Sequence, residues 1–111
     1  MHLWSRLSVL SCGGISTDFI IAQTNRFKAA VSGAGSALFT SSYGHDHYQK
    51  NYETELGRPW DNKALWEKVS PFYRVNNITT PTCFTGGEID WNVPILGSEQ
   101  MYHGFALPLW I

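Results

Sequence analysis

Cysteine is scarce in this sequence, with two residues, Cys12 and Cys83, in a chain of 111. They have no zinc-type spacing and supply no disulfide framework of the sort that staples small secreted domains. Both are read as reduced, buried thiols. Charge is also sparse, at 15% of residues with a net charge of -1, and Lys and Arg are scattered. Without a basic stripe, nucleic acid is excluded as a partner. No apolar run approaches the ~18 residues of a membrane span, so no membrane partner is expected. Internal repeats and low-complexity linkers are missing too. What is present, 43% apolar residues, suits one small globular domain with a modest core. Val9-Leu10-Ser11-Cys12 loosely resembles a lipidation box, but Leu10 is large and Arg6 is the one clear cation, which argues against a targeting segment. The sequon Asn77-Ile78-Thr79 would matter only in a secreted protein, and the compartment is read as cytoplasmic.

The most informative stretch is Val9-Leu10-Ser11-Cys12-Gly13-Gly14-Ile15-Ser16-Thr17. A short apolar run leads to a serine among small residues, and an amphipathic segment follows. This order predicts a strand, a tight turn and a helix with a hydroxyl at the apex, the layout of a nucleophile elbow. The full pattern is G-x-S-x-G; Gly13 is its second glycine, and Val9 stands where the first belongs. Helical spacing of Ile15, Phe19 and Ala22 predicts a helix from Gly14 to about Asn25, with Thr17 and Asp18 in its first turn. Phe27 to Ser32 reads as a second strand, ended by Gly33-Ala34-Gly35. Strand, helix and strand in this order imply a parallel sheet.

Further along, Ser36 to Asn51 is polar and aromatic and reads as loop plus a short helix. Gly57-Arg58-Pro59-Trp60 breaks the chain. Asp61 or Asn62 can cap a helix through Val69, which Ser70-Pro71 stops. Tyr73 to Thr80 reads as a connector and Pro81 to Thr85 as a buried strand closed by Gly86-Gly87. A helix is expected from near Ile95 through Tyr102, and the residues after it show no clear pattern. The expected organisation is a domain over 1–102 and a divergent apolar tail over 103–111. Gly86-Gly87-Glu88-Ile89-Asp90-Trp91-Asn92-Val93-Pro94 directly follows the last strand. In open parallel sheets functional groups collect beyond the C-terminal strand ends, which brings Ser11 and Asp90 to one edge.

Several segments now combine. Ser11 to Asp18, Gln23 to Ser36, Tyr52 to Gly57, Leu65 to Pro71 and Pro81 to Tyr102 together resemble the C-terminal catalytic domain of the prolyl oligopeptidase family of serine peptidases. The likeness is greatest to its acylaminoacyl-peptidase-like and dipeptidyl-peptidase-like members. The resemblance implies an α/β class: a partial alpha/beta-hydrolase fold, three-layer, with a short parallel sheet and flanking helices. It implies hydrolysis of short peptide substrates through a serine acyl-enzyme, with no cofactor and no metal. Ser11 matches the nucleophile, Asp90 matches the acid that orients the catalytic histidine, and the Cys12 backbone N–H matches an oxyanion donor. The family's histidine lies a few tens of residues beyond the acid, whereas only His103 follows Asp90 here. His103 reads as a polar residue on a helix end, so the expectation is a fragment without its base, of little activity alone. Its strands would have open edges through which the chain self-associates. The alternative is a non-catalytic remnant acting through association with another chain.

Two other clusters have plainer readings. His45 and His47, with Asp46 between them, are metal-competent residue types without a third partner and read as solvated loop residues. Glu88 beside Asp90 is read as holding its loop through backbone N–H groups.

Overall fold

The computed structural model describes residues 5–45 and 48–106. The chain forms β1 (Arg6–Leu10), α1 (Cys12–Ile21), β2 (Ala29–Gly33), α2 (Phe39–Ser42), α3 (Gln49–Leu56) and α4 (Lys63–Lys68). A 3-10 helix (Pro71–Asn77), β3 (Thr82–Thr85) and α5 (Leu96–Ala106) complete it. The strands make one parallel sheet in the order β1-β2-β3, as the strand–helix–strand pattern requires. Register pairs Leu10 with Gly33 and Gly33 with Thr85. The segments that leave all three strands, beginning at Ser11, Ala34 and Gly86, therefore emerge side by side at one sheet edge.

The core lies on one face of this sheet. Ile21, Ala30, Ala37, Ile78 and Met101 are buried together, with Leu7, Phe84 and Phe105 packed around them. Leu7, Ala30 and Phe84 come from alternate strand positions, the period that puts residues on a common face. The opposite face carries Ser8 and Cys83, which are exposed, and half-buried Val31. Parallel sheets are normally covered on both faces; here Leu10, next to that uncovered face, is 71% exposed. This corrects two readings. β3 is half-exposed rather than a buried strand, and Cys12 and Cys83, though unpaired, are exposed rather than buried.

Local boundaries also differ. α1 ends at Ile21 because the Gln23 and Thr24 N–H groups both turn back to the Ile20 carbonyl. It begins at Cys12, so Thr17 and Asp18 fall in its middle rather than its first turn, and both are buried. The connector after Ser70 is a 3-10 helix with Pro71 at its start, where a missing N–H costs nothing. α5 continues past Tyr102 to Ala106, taking in His103 and Gly104. Residues 107–111, the rest of the expected apolar tail, lie outside the described residues.

Glycine sets how closely these elements approach. A Cβ on Gly14 of α1 would fall 2.3 Å from the Gly33 carbonyl oxygen, and one on Gly97 of α5 would fall 2.3 Å from the Gly35 oxygen. The loop after β2 is thus held between two helix backbones. In an isolated helix Gly14→Ala would gain about 1 kcal/mol of propensity. Here it forces a backbone shift whose overpacking cost is about 1–3 kcal/mol. We expect Gly14→Ala to lower the urea midpoint, while Ser16→Ala, at an exposed position of the same helix, changes it little.

Candidate active site

Ser11 links β1 to α1 through a tight turn. Its backbone sits at φ 61°, ψ −124°, in the positive-φ region that side chains seldom occupy. Such a conformation costs about 1–3 kcal/mol and persists only where its surroundings enforce it. Three hydrogen bonds do so. The Ser11 N–H donates to the Gly33 carbonyl at 2.8 Å, and the Ser11 carbonyl accepts from Gly14 N–H at 2.8 Å and Ile15 N–H at 3.3 Å. The strain falls on Ser11 and not on Val9, which remains in the extended strand β1. That is why the elbow forms without the first glycine of the pattern. The space is provided by Gly13, whose Cβ would lie 2.6 Å from that of Val9, so only one of the two positions can bear a side chain.

Directly after the turn, Cys12 opens α1. The first N–H groups of a helix have no intrahelical acceptor, and the helix dipole adds positive character there. The Cys12 N–H therefore faces outward as a donor, whatever its side chain.

Ser11 and Cys12 border a cleft of about 430 Å³, and Asp90 borders the same cleft. Asp90 is held by its own loop. Its Oδ1 accepts from the Asn92 N–H at 2.9 Å and the Val93 N–H at 3.0 Å. The task of holding this loop, expected of Glu88, thus belongs to Asp90; Glu88 is exposed and lines a neighbouring cleft. Ile15, Phe39, Tyr48, Tyr52 and Val93 make the remaining walls apolar and aromatic. Phe39 and Tyr52 meet edge to face at 5.5 Å, and Tyr52 and Tyr43 lean on the Trp66 ring at 6.2 and 5.5 Å. Trp66 is buried and donates through Nε1 to the Gly57 carbonyl, which anchors the aromatic wall to α4.

A match to the family model of the prolyl oligopeptidase family covers residues 10–105. The chain belongs to the prolyl oligopeptidase family. It is 34% identical over 95 residues to the uncharacterized peptidase YuxL of Bacillus subtilis, covering 83% of this chain and 14% of that protein. Among solved structures, the Pyrococcus horikoshii acylaminoacyl peptidase superposes with a TM-score of 0.81 at 24% identity, over 90% of this chain and 17% of that one. A puromycin-hydrolyzing peptidase of Mycobacterium tuberculosis gives 0.80 at 26% identity, over 91% and 16%. The chain spans about a sixth of the length of these relatives. The fold is that of alpha/beta-hydrolases, represented here by a short, open parallel sheet with flanking helices.

The histidines are less well placed. His103 is exposed on α5 and borders a different cleft, beside Phe72 and Glu99. His45 stacks on Trp91 with ring centroids 6.3 Å apart and borders the cleft that holds Glu88. His2, and Asp46 and His47 of the metal reading, lie outside the described residues; among the described residues no cluster of three metal-competent side chains occurs. No local pattern places Phe39, Tyr48 and Tyr52 along the Ser11 cleft. Their aromatic character stood out, but their placement depends on α2 and α3 folding against α4.

The two N–H bonds to Asp90 separate shape from charge. Asp90→Asn keeps an acceptor oxygen and should alter stability by less than about 1 kcal/mol. Asp90→Ala leaves both N–H groups without it and should cost about 1–2 kcal/mol. Thermal unfolding of the two variants checks this.

Proposed function

We propose that this chain is the nucleophile-bearing part of a serine peptidase that cleaves peptide bonds in short peptides. The observation that carries this is the strained Ser11 turn sharing one cleft with Asp90. Ser11 Oγ attacks the scissile carbonyl, and the Cys12 N–H stabilises the developing oxyanion at the helix N-terminus. Asp90 orients a histidine that takes the serine proton. Among the described residues neither His45 nor His103 lines the cleft, and the reading places that histidine outside this chain. The apolar walls favour a bulky apolar side chain beside the scissile bond. No cofactor takes part.

A serine without a base is a poor nucleophile near neutral pH, and a positioned base is worth about 10²–10⁴ in rate. The chain alone should therefore hydrolyse a chromogenic ester little above background. Added imidazole should restore Ser11-dependent turnover, roughly tenfold or more over background, together with fluorophosphonate labelling at Ser11. Ser11→Ala should abolish both. Imidazole-independent turnover lost in Ser11→Ala would show that the base is already present. No Ser11-dependent reaction with imidazole would favour the second reading.

That second reading is a non-catalytic remnant that acts by association. It is supported by the two open sheet edges at β1 and β3 and by exposed Val9, Leu10, Ile89 and Trp91. The partner we propose is a second copy of this chain, pairing edge to edge. Size-exclusion chromatography should then give a dimer or larger; a monomer at high micromolar concentration would discard it.

A further inference from the structure

We propose that Asp18 is a pH-sensitive lock on the elbow: as a neutral carboxylic acid it secures the first turn of α1 to the Gly33–Gly35 loop, and its ionisation loosens that junction. Asp18 is 1% exposed, and neither carboxyl oxygen has a hydrogen-bond partner among the described residues. The carboxyl packs where the backbone of α1 meets the loop after β2. A Cβ on Gly35 would lie 3.1 Å from Asp18 Oδ2 and equally near the Gly14 carbonyl carbon and the Ile15 nitrogen. Facing it is buried Ser32, whose hydroxyl donates to the Gly14 carbonyl at 3.1 Å.

The proton count at this junction explains the lock. A neutral Asp18 can donate to Ser32 Oγ while Ser32 keeps its own proton on the Gly14 carbonyl. An ionised Asp18 only accepts. Ser32 has one proton to give. Either it stays with Gly14 and leaves a buried charge unpaired, or it turns to Asp18 and takes a partner from Gly14. Both outcomes are costly in a dry interior. Gly14 also donates to the Ser11 carbonyl, so the disturbance reaches the strained turn in one step.

Burial raises the Asp18 carboxyl from 3.8 to about 6, and Ser32 offsets only part of this. No charged neighbour contributes. β2 has no ionisable residue. Arg6 on β1 and Glu99 and His103 on α5 are exposed, and Arg74 on the 3-10 helix lies over the Phe19 ring. Because the folded value lies above the unfolded one, the stabilisation is complete below about pH 4. It is lost as pH rises to about 6 and stays lost above, about a hundredfold in the folding equilibrium.

The test uses the full 111-residue chain with its Asp carboxyl carbons labelled with carbon-13. The Asp18 resonance should titrate near pH 6. Amide-exchange protection over 11–15 and 33–36, corrected for intrinsic rates, should fall about tenfold between about pH 5 and about pH 7.5. Asp18→Asn, whose amide can donate to Ser32 and carries no charge at any pH, should hold constant protection across that range. If that variant does not fold, the wild-type titration and exchange decide alone. A midpoint near 4, protection that ignores pH, or an Asn variant with the wild-type pH response would each overturn the lock. None of these readings depends on whether Ser11 is reactive.

Discussion

The structure depends on one close approach of backbones. The loop leaving β2 passes between Gly14 of α1 and Gly97 of α5, at distances that leave no room for a side chain on either. Dispersion is short-ranged, so contact this tight fixes relative position more firmly than looser side-chain packing could. With the loop clamped, the Gly33 carbonyl meets the Ser11 N–H and the Thr85 carbonyl meets the Ala34 N–H at 2.7 Å. The ends of the three strands, from which Ser11, Ala34 and the Asp90 loop depart, are then tied to one another by main-chain hydrogen bonds.

Everything chemical in the molecule follows from that arrangement. The turn at Ser11 is strained and is sustained by its neighbours rather than by its own preferences. The outward N–H at Cys12 exists because a helix starts there. Asp90 reaches the same cleft because the parallel register ends β2 and β3 level, so the loop after β3 opens beside the loop after β2. Among the described residues, the uncovered sheet face and the two open edges are consequences of the same small sheet, in which three strands bury one side only.

Much of this could be read along the chain. The serine turn, the parallel strands around a helix and the acidic loop after the last strand were legible from Leu10 to Gly14, from Ala29 to Gly33 and from Gly86 to Asp90. Each is encoded locally, by small residues at turns and β-prone residues between them. Other features were not local. Asp18 looked like a first-turn residue by charge preference, yet it is buried, because the helix starts at Cys12 and turns that position inward. Glu88 and Asp90 are chemically equivalent acids in one loop, and only the fold of Gly87 to Val93 decides which accepts the backbone N–H groups. Val9 suggested a spoiled elbow, since a motif does not record that Gly13 leaves the room Val9 fills.

By itself, then, the sequence determined the order of elements, the turn at Ser11 and the family, because turn chemistry and strand or helix preference act over a few residues. The tertiary structure alone decided which face of the sheet is covered, which acid holds the loop and which aromatics wall the cleft. It also decided that a carboxyl lies buried beneath the elbow. Those outcomes are set by contacts between residues far apart in the chain, whose distances no local pattern contains.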